Sequence, residues 1–281
     1  MARTQEELSS GKTILEPSDN PYGASQVIDL QSSLDGLTSY EHSAQDGTSW
    51  MNTSSGALAS IDSQVQRVRE LVLQGANEIN SPSDLEDIAT EVQQLTEGIK
   101  QDADTQYAGQ YVFSGTLTGT PPYKPGGESD AFQGNTETVT RALGPGTSVN
   151  VAVNLSSVLG SGQGAADGKL LDTLRTIAQN LHEGSHVAVE ALGSTDLKSL
   201  DANITALTGL QAEAGAVTDQ LNLAVSRVQS LQDTTTTQLS NVQDANIAKV
   251  SIEFSNEQAA FNAALKAGAS IVQESLLEFL N

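Results

Sequence analysis

The sequence contains no cysteine, which excludes disulfides, thiolate metal sites and cysteine catalysis. Aromatic residues make only 4 % of its 281 positions, thin material for one thick globular core, because aromatics normally supply much of the buried area. Basic residues are equally scarce: 13 Lys and Arg stand against 35 Asp and Glu, a formal net charge of −22. A surface that neutralises phosphates needs clustered Lys and Arg, so nucleic acid and anionic membrane are excluded as expected partners. No run approaches the ~18 apolar residues of a transmembrane helix. The opening Met1-Ala2-Arg3-Thr4-Gln5-Glu6-Glu7 has no apolar stretch, so no cleaved secretory signal is expected. What the chain does have is Ala, Leu, Ile and Val at helical spacing, with Ser and Thr making about a fifth of it. That composition suits thin layers of helix.

Composition changes along the chain. Residues 109–168 hold 12 of the 24 glycines and four of the seven prolines, together with Tyr111, Phe113, Tyr123 and Phe132. Strands are expected at Tyr111-Val112-Phe113, at Thr136 to Thr140 and at Val149 to Val153. Helical stretches precede them. Leu30, Leu34, Leu37 and Ala44 share one face; Leu58, Ile61, Val65, Val68 and Val72 step 3-4-3-4 as a narrow seam; Leu85, Ile88, Val92, Leu95 and Ile99 do the same. Ser81-Pro82 reads as an N-cap followed by Pro at the first helical position. After Gly168, Leu170, Leu174, Ile177 and Leu181 mark a short helix.

The last third carries the longest apolar pattern. Leu207, Leu210, Ala214, Val217, Leu221, Ala224, Val228 and Leu231 keep a heptad spacing, which resumes through Leu239, Val250, Phe254, Phe261, Leu265, Val272, Leu276 and Phe279. One continuous helix here is roughly 80 residues and about 120 Å long, too long for a compact domain of this size to enclose. The expected fold is therefore α+β: an elongated, coiled-coil-like rod of long helices from residues 1–108 and 169–281, with a small β-rich inserted domain at 109–168. Residues 250–281 form its terminal arm.

Signals for chemistry are sparse. His182-Glu183-Gly184-Ser185-His186 matches the zinc-peptidase pattern, whose mechanism needs both imidazoles on one helical face. Gly184 and Ser185 fall where the apolar spacing ends at Leu181, so a helix terminus is the competing interpretation. Asp102 and Asp104 begin like a calcium loop, but Gln106 and Tyr107 stand where a ligand and a glycine belong. No phosphate-cradling glycine loop and no nucleophile elbow is present. A generic coiled-coil adaptor is a further interpretation of the heptads.

Four segments together resemble the flagellin superfamily, and within it the branch of hook–filament junction proteins. They are Leu8-Ser9-Ser10-Gly11-Lys12 with Pro17-Ser18-Asp19-Asn20-Pro21; Ser49-Trp50-Met51 through Arg67-Val68-Arg69-Glu70-Leu71; Gly109-Gln110-Tyr111-Val112-Phe113-Ser114-Gly115 with Thr120-Pro121-Pro122-Tyr123; and the C-terminal arm ending Ser275-Leu276-Leu277-Glu278-Phe279-Leu280. The third favours the junction branch over flagellin itself, which is the nearest alternative. The resemblance implies a structural, non-enzymatic subunit with no catalytic residue, cofactor or metal. It implies hook-associated protein 1 and flagellin as partners, self-association in a ring, a flagellar export chaperone, and passage through the flagellar type III channel to an extracellular flagellum. Superfamily members carry a further helical arm of roughly 25–30 residues before the Leu-Ser-Ser-Gly turn, one half of a paired terminal coiled coil. With only seven residues before Leu8 here, Phe254, Phe261, Leu265, Val272, Leu276 and Phe279 are expected to form an assembly interface. Their segment is expected either to project as a lightly supported helix or to pack on another copy.

Overall fold

The computed structural model describes residues 1–77, 79–123 and 131–279, with side chains up to residue 268. Helix α1 (Ala2–Ser10) is followed by α2 (Pro21–Gly75) and α3 (Pro82–Ala103). Four short strands come next: β1 (Gln106–Tyr107), β2 (Gln110–Tyr111), β3 (Thr140–Gly144) and β4 (Thr147–Asn150). A single turn, α4 (Ser156–Leu159), leads to α5 (Leu170–Glu183) and α6 (His186–Ala191). A π-helical turn at Leu192–Asp196 opens into α7 (Leu197–Gln243), and α8 (Ile247–Phe279) closes the described chain. The fold is α+β, dominated by long helices. It divides into two compact units, residues 1–39 with 228–281, and residues 40–227.

The 40–227 unit is built on apolar seams. Leu58, Ile61, Val65, Val68 and Val72 of α2 are fully buried, as are Val92 and Ile99 of α3, Leu170, Leu174 and Ile177 of α5, and Leu207 and Leu221 of α7. They belong to one continuous core, in which each fully buried aliphatic side chain is worth about 1.5–3 kcal/mol. The seam expected over Leu58–Val72 is thus an intramolecular one. Helix α3 begins as its sequence implies: Ser81 Oγ accepts the Asp84 N–H at 3.2 Å, and the Asp84 carboxylate accepts the Ser81 N–H at 2.9 Å. The Ser81 hydroxyl also donates to the Asp84 carboxylate at 2.7 Å, and this bond first, then the Ser81 N–H, holds the Asp84 carboxyl below its ordinary value.

Three sequence expectations need correction. The stretches at Leu30–Ala44 and Leu58–Val72 are one 55-residue helix, because the glycines between them cost only ~1 kcal/mol each and tertiary packing outweighs that. The expected 80-residue C-terminal helix is two helices, parted at Asp244–Asn246. Thr234, Thr235 and Thr237 lie inside α7 and return their hydroxyls to carbonyls four residues back at 2.8–2.9 Å. The strands are also shorter than their alternation suggests. The first stops at Tyr111, and of 136–140 and 149–153 only Thr140, Val149 and Asn150 lie in a strand. Asn150 Oδ1 accepts the N–H groups of Val139 (3.1 Å) and Ala152 (3.0 Å), capturing donors that a longer ladder needs.

The two hairpins are separate. In the first, Gln106 pairs with Tyr111 and Tyr107 with Gln110; in the second, Thr140 pairs with Asn150 and Arg141 with Val149, with an irregularity between Ala142 and Gly144. Arg141 docks the second hairpin on α2, giving its Nε–H to Asp46 at 2.7 Å and stacking its guanidinium 5.6 Å from the Trp50 ring centre. Tyr123, fully buried, gives its hydroxyl to the Gly160 carbonyl at 2.6 Å.

Asp104, at the end of α3, has its carboxyl pushed up to about 6 by burial, against the opposing effect of the Tyr123 N–H that it accepts at 3.4 Å. A carboxyl raised in the folded state binds protons more readily there than when unfolded, so its contribution to stability falls as pH rises from its ordinary value of 3.8 to about 6. Asp104→Asn keeps an acceptor and removes the charge. We expect it to raise the thermal midpoint at pH 7.5 by about 2 °C, after allowing for solvent screening of a half-buried group, and to leave it unchanged at pH 4. Calorimetry at the two pH values measures this.

Candidate assembly surface

In the unit formed by 1–39 and 228–281, a helix break and a capped turn place α1, α2 and α8. Helix α1 ends at Gly11, whose φ of +70° is the left-handed conformation that a side chain resists, and whose N–H returns to the Glu7 carbonyl at 2.9 Å. The chain then runs extended beside the α7–α8 break. Thr13 N–H donates to the Gln243 carbonyl at 2.7 Å, Ala245 N–H donates to the Gly11 carbonyl at 2.8 Å, and Lys12 bridges Asp244 in antiparallel fashion. These bonds take up carbonyl and amide groups that the end of α7 would leave unpaired. Asn246 then caps α8, its Oδ1 accepting the Lys249 N–H at 3.1 Å. Helix α1 packs along the start of α8, where Thr4 donates to Glu257 at 2.5 Å and Val250 is buried.

The Pro17–Pro21 segment has an equally definite role. Asp19 Oδ2 accepts the N–H groups of Leu15 (3.1 Å) and Glu16 (3.0 Å), which ties the loop into a turn. Asn20 caps α2: its Oδ1 accepts the Gly23 N–H at 3.0 Å, and Pro21 occupies the first helical position.

The six residues expected to form an interface lie on α8. Phe254 is half-buried, and Phe261 and Leu265 are 52 % and 58 % exposed. Val272, Leu276 and Phe279 are on the same helix, but their side chains lie outside the described residues. The expectation that this stripe has no intramolecular partner is corrected at its beginning, because α1 covers the start of α8. Sequence reasoning also missed the pairing of Gly11–Thr13 with Gln243–Ala245. The available signal was Asp244-Ala245-Asn246, a run of turn and cap formers inside an otherwise unbroken heptad pattern.

The zinc-like pattern is split by a turn. Helix α5 stops at Glu183, Gly184 has φ +59° with its N–H on the Asn180 carbonyl, and Ser185 caps α6 by accepting the Ala188 N–H at 3.2 Å. His182 and His186 therefore belong to different helices and cannot share one helical face. His182 Nδ1 sits 2.5 Å from Glu86 at an exposed position. Among the described residues no group of three or more His, Asp or Glu is placed to hold a metal ion. Asp102 and Asp104 likewise mark a helix end, Asp102 accepting from the Gln64 amide at 2.5 Å.

The family models for the bacterial flagellin N-terminal helical region and C-terminal helical region match residues 1–118 and 197–280 respectively. The chain belongs to the flagellin family. It is 26 % identical to a flagellin of Bacillus subtilis over 99 % of its own length and 92 % of that protein. Flagellin 1 of Proteus mirabilis is 31 % identical over 71 % of this chain and 48 % of its own. A Salmonella typhimurium flagellin is 40 % identical over 40 % of this chain and 23 % of its own, so the chain spans less than half of these two relatives. Solved structures with the same fold include FlgL of Xanthomonas campestris (TM-score 0.64, 16 % identity, 75 % of this chain and 99 % of that one). The flagellar junction protein FlgL of Legionella pneumophila is similar as well (TM-score 0.63, 15 % identity, 78 % and 99 %).

The turn before α2 gives a pH-dependent test. Accepting the Glu16 and then the Leu15 N–H holds the Asp19 carboxyl below its ordinary 3.8. A carboxyl lowered in the folded state stabilises it above the unfolded value and loses that effect as pH falls through the folded one. Amide exchange at Leu15 and Glu16 should therefore be slowed at pH 5 and accelerate, relative to intrinsic rates, as pH falls below 3.8 and through the lowered value. Asn20→Ala should remove about 1 kcal/mol of protection at Gly23 at every pH.

Proposed function

We propose that this flagellin-family chain is the subunit that joins the hook-associated proteins to the flagellin filament, a structural part of the bacterial flagellum without catalytic activity. The observation that carries the reading is the segment between α3 and β3. Tyr111-Val112-Phe113-Ser114-Gly115 and Thr120-Pro121-Pro122-Tyr123 resemble the junction branch and form one closed unit. Val112, Phe113 and Tyr123 are buried, and Ser114 Oγ–H donates to the Thr120 carbonyl at 2.7 Å. The fold shared with FlgL structures supports the same reading. Flagellin itself is the second reading, favoured by the match along nearly the whole of the Bacillus subtilis protein.

In the proposed role the α8 stripe of Phe254, Phe261, Leu265, Val272, Leu276 and Phe279 is an assembly interface covered by neighbouring chains. Hook-associated protein 1 lies on one side, flagellin on the other, and further copies of this chain complete a ring. The subunit reaches the extracellular flagellum through the type III export channel, escorted by an export chaperone. Burying the exposed part of Phe261 and Leu265, about half of each, is worth about 1.5–3 kcal/mol, enough to hold adjoining subunits once many copies repeat it. The 109–168 segment is proposed as a projecting domain.

Deletion of the gene discriminates the readings. For a junction subunit, cells should make hooks and secrete unassembled flagellin into the medium. Cells that make no filament protein would point to flagellin, and cells with normal filaments would refute both.

A further inference from the structure

Helix α7 does not end because its sequence stops favouring helix. Asp244, Ala245 and Asn246, which separate α7 from α8, include neither glycine nor proline. The apolar spacing also counts them as helical residues. Val228, Leu239, Val250 and Phe261 recur every 11 residues across the gap. Eleven residues make about three helical turns, so one continuous helix sets these four side chains along one line. Val228 and Val250 are buried and Leu239 half-buried, whereas Phe261 is exposed.

Helical bonding runs up to the gap and resumes directly after it. Asp244 N–H donates to the Ser240 carbonyl at 2.8 Å and Val250 N–H to the Asn246 carbonyl at 3.0 Å, each four residues back. Between them, an unbroken helix would join Ala245 N–H to the Asn241 carbonyl and Ile247 N–H to the Gln243 carbonyl. The N-terminal segment occupies one group of each pair. The Gly11 carbonyl accepts Ala245 N–H at 2.8 Å, and the Gln243 carbonyl accepts both the Thr13 N–H (2.7 Å) and the Thr13 hydroxyl (3.0 Å). Both lone pairs of that carbonyl are then in use. Pairing with residues 11–13 and helical continuity at 245–247 therefore compete for the same backbone groups and exclude each other.

We propose that residues 11–13 are the latch of a two-state joint: when they leave, residues 244–246 turn helical and α7 and α8 become one helix. Both flanks are already helical, so closing the gap extends an existing helix and needs no new nucleus. Closure gives up the latch bonds and the Asn246 cap on Lys249, and it restores helical bonds for the N–H groups from Ala245 to Lys249. Helix α1 holds the latch in place, because it packs along α8 and ends at Gly11. Whatever draws α1 off α8 thus stiffens the joint and brings Phe261 into line with Val228 and Leu239. The device works alike in a junction subunit and in a flagellin, so it does not rest on the choice between them.

Backbone NMR and amide exchange on variants of the full chain test this. Thr13→Pro removes both the N–H and the hydroxyl that the Gln243 carbonyl accepts. It should move the Cα shifts of Asp244, Ala245 and Asn246 into the helical range and raise amide protection at Asn246 and Ala248 by about tenfold or more. Asn246→Ala, which removes the cap and supplies the best helix former, should move the same resonances in the same direction. Ile247→Pro is the control. Ile247 is the first residue of α8, where proline is tolerated, but it lies inside the fused helix, where proline breaks it. Adding Ile247→Pro to Thr13→Pro should therefore abolish both changes. If Thr13→Pro only removed stabilising contacts, protection would fall across residues 244–254, and that result would overturn the proposal. So would non-helical shifts at 244–246 in both Thr13→Pro and Asn246→Ala, or a gain in protection that survives Ile247→Pro.

Discussion

The constraint on which the structure depends is the width of its apolar stripes. With aromatics at 4 % of the chain, burial rests on aliphatic side chains repeating every three or four residues, and such a stripe is wide enough to be covered once. In the 40–227 unit this covering is complete: α2, α3, α5 and α7 press their seams into a single core from Trp50 to Leu221. The β hairpins add little burial of their own and are held to that core by specific contacts, Arg141 on Asp46 and Trp50, and Tyr123 on Gly160. Among the described residues, the stripe of α8 is covered at its start and exposed at Phe261 and Leu265. That exposure supports the proposal that α8 contacts other chains.

The sequence conveyed those parts of the fold that local physics decides. The 3-4 spacing of Leu58–Val72 and Leu85–Ile99, the Ser81-Pro82 cap and the short helix after Gly168 are all found, because propensity, cap and burial agree there. Gly184 ended a helix as its position suggested, which disposed of a letter-for-letter metal motif. Failures came where a distant segment decides the outcome. Nothing local to Asp244 says that Gly11–Thr13 will pair with it and part α7 from α8. The strand pattern around Val149 gives no warning that the Asn150 side chain will capture two backbone donors. The two helical stretches within α2 are separate in the sequence reading because the packing that joins them is invisible from the chain.

The candidate interface was legible for the same reason as the core. Phe254, Phe261 and Leu265 continue a heptad register, and among the described residues Phe261 and Leu265 remain exposed on it. The supporting turn at Pro17–Pro21 was legible only as a motif. Its mechanism, Asp19 fastening the loop and Asn20 capping α2, required coordinates.

The central claim is that the exposed face of α8 is covered by other chains in the flagellum. The chain lacks cysteine, so Phe261→Cys introduces a single thiol at a position that is 52 % exposed in the isolated protein. Its rate of maleimide labelling, measured on the purified chain and on intact flagella of cells carrying the variant, is the most direct measurement. The account predicts rapid labelling of the free chain and at least a tenfold, order-of-magnitude slowing after assembly. Equal rates in the two states, in flagella whose filaments remain attached, would contradict it.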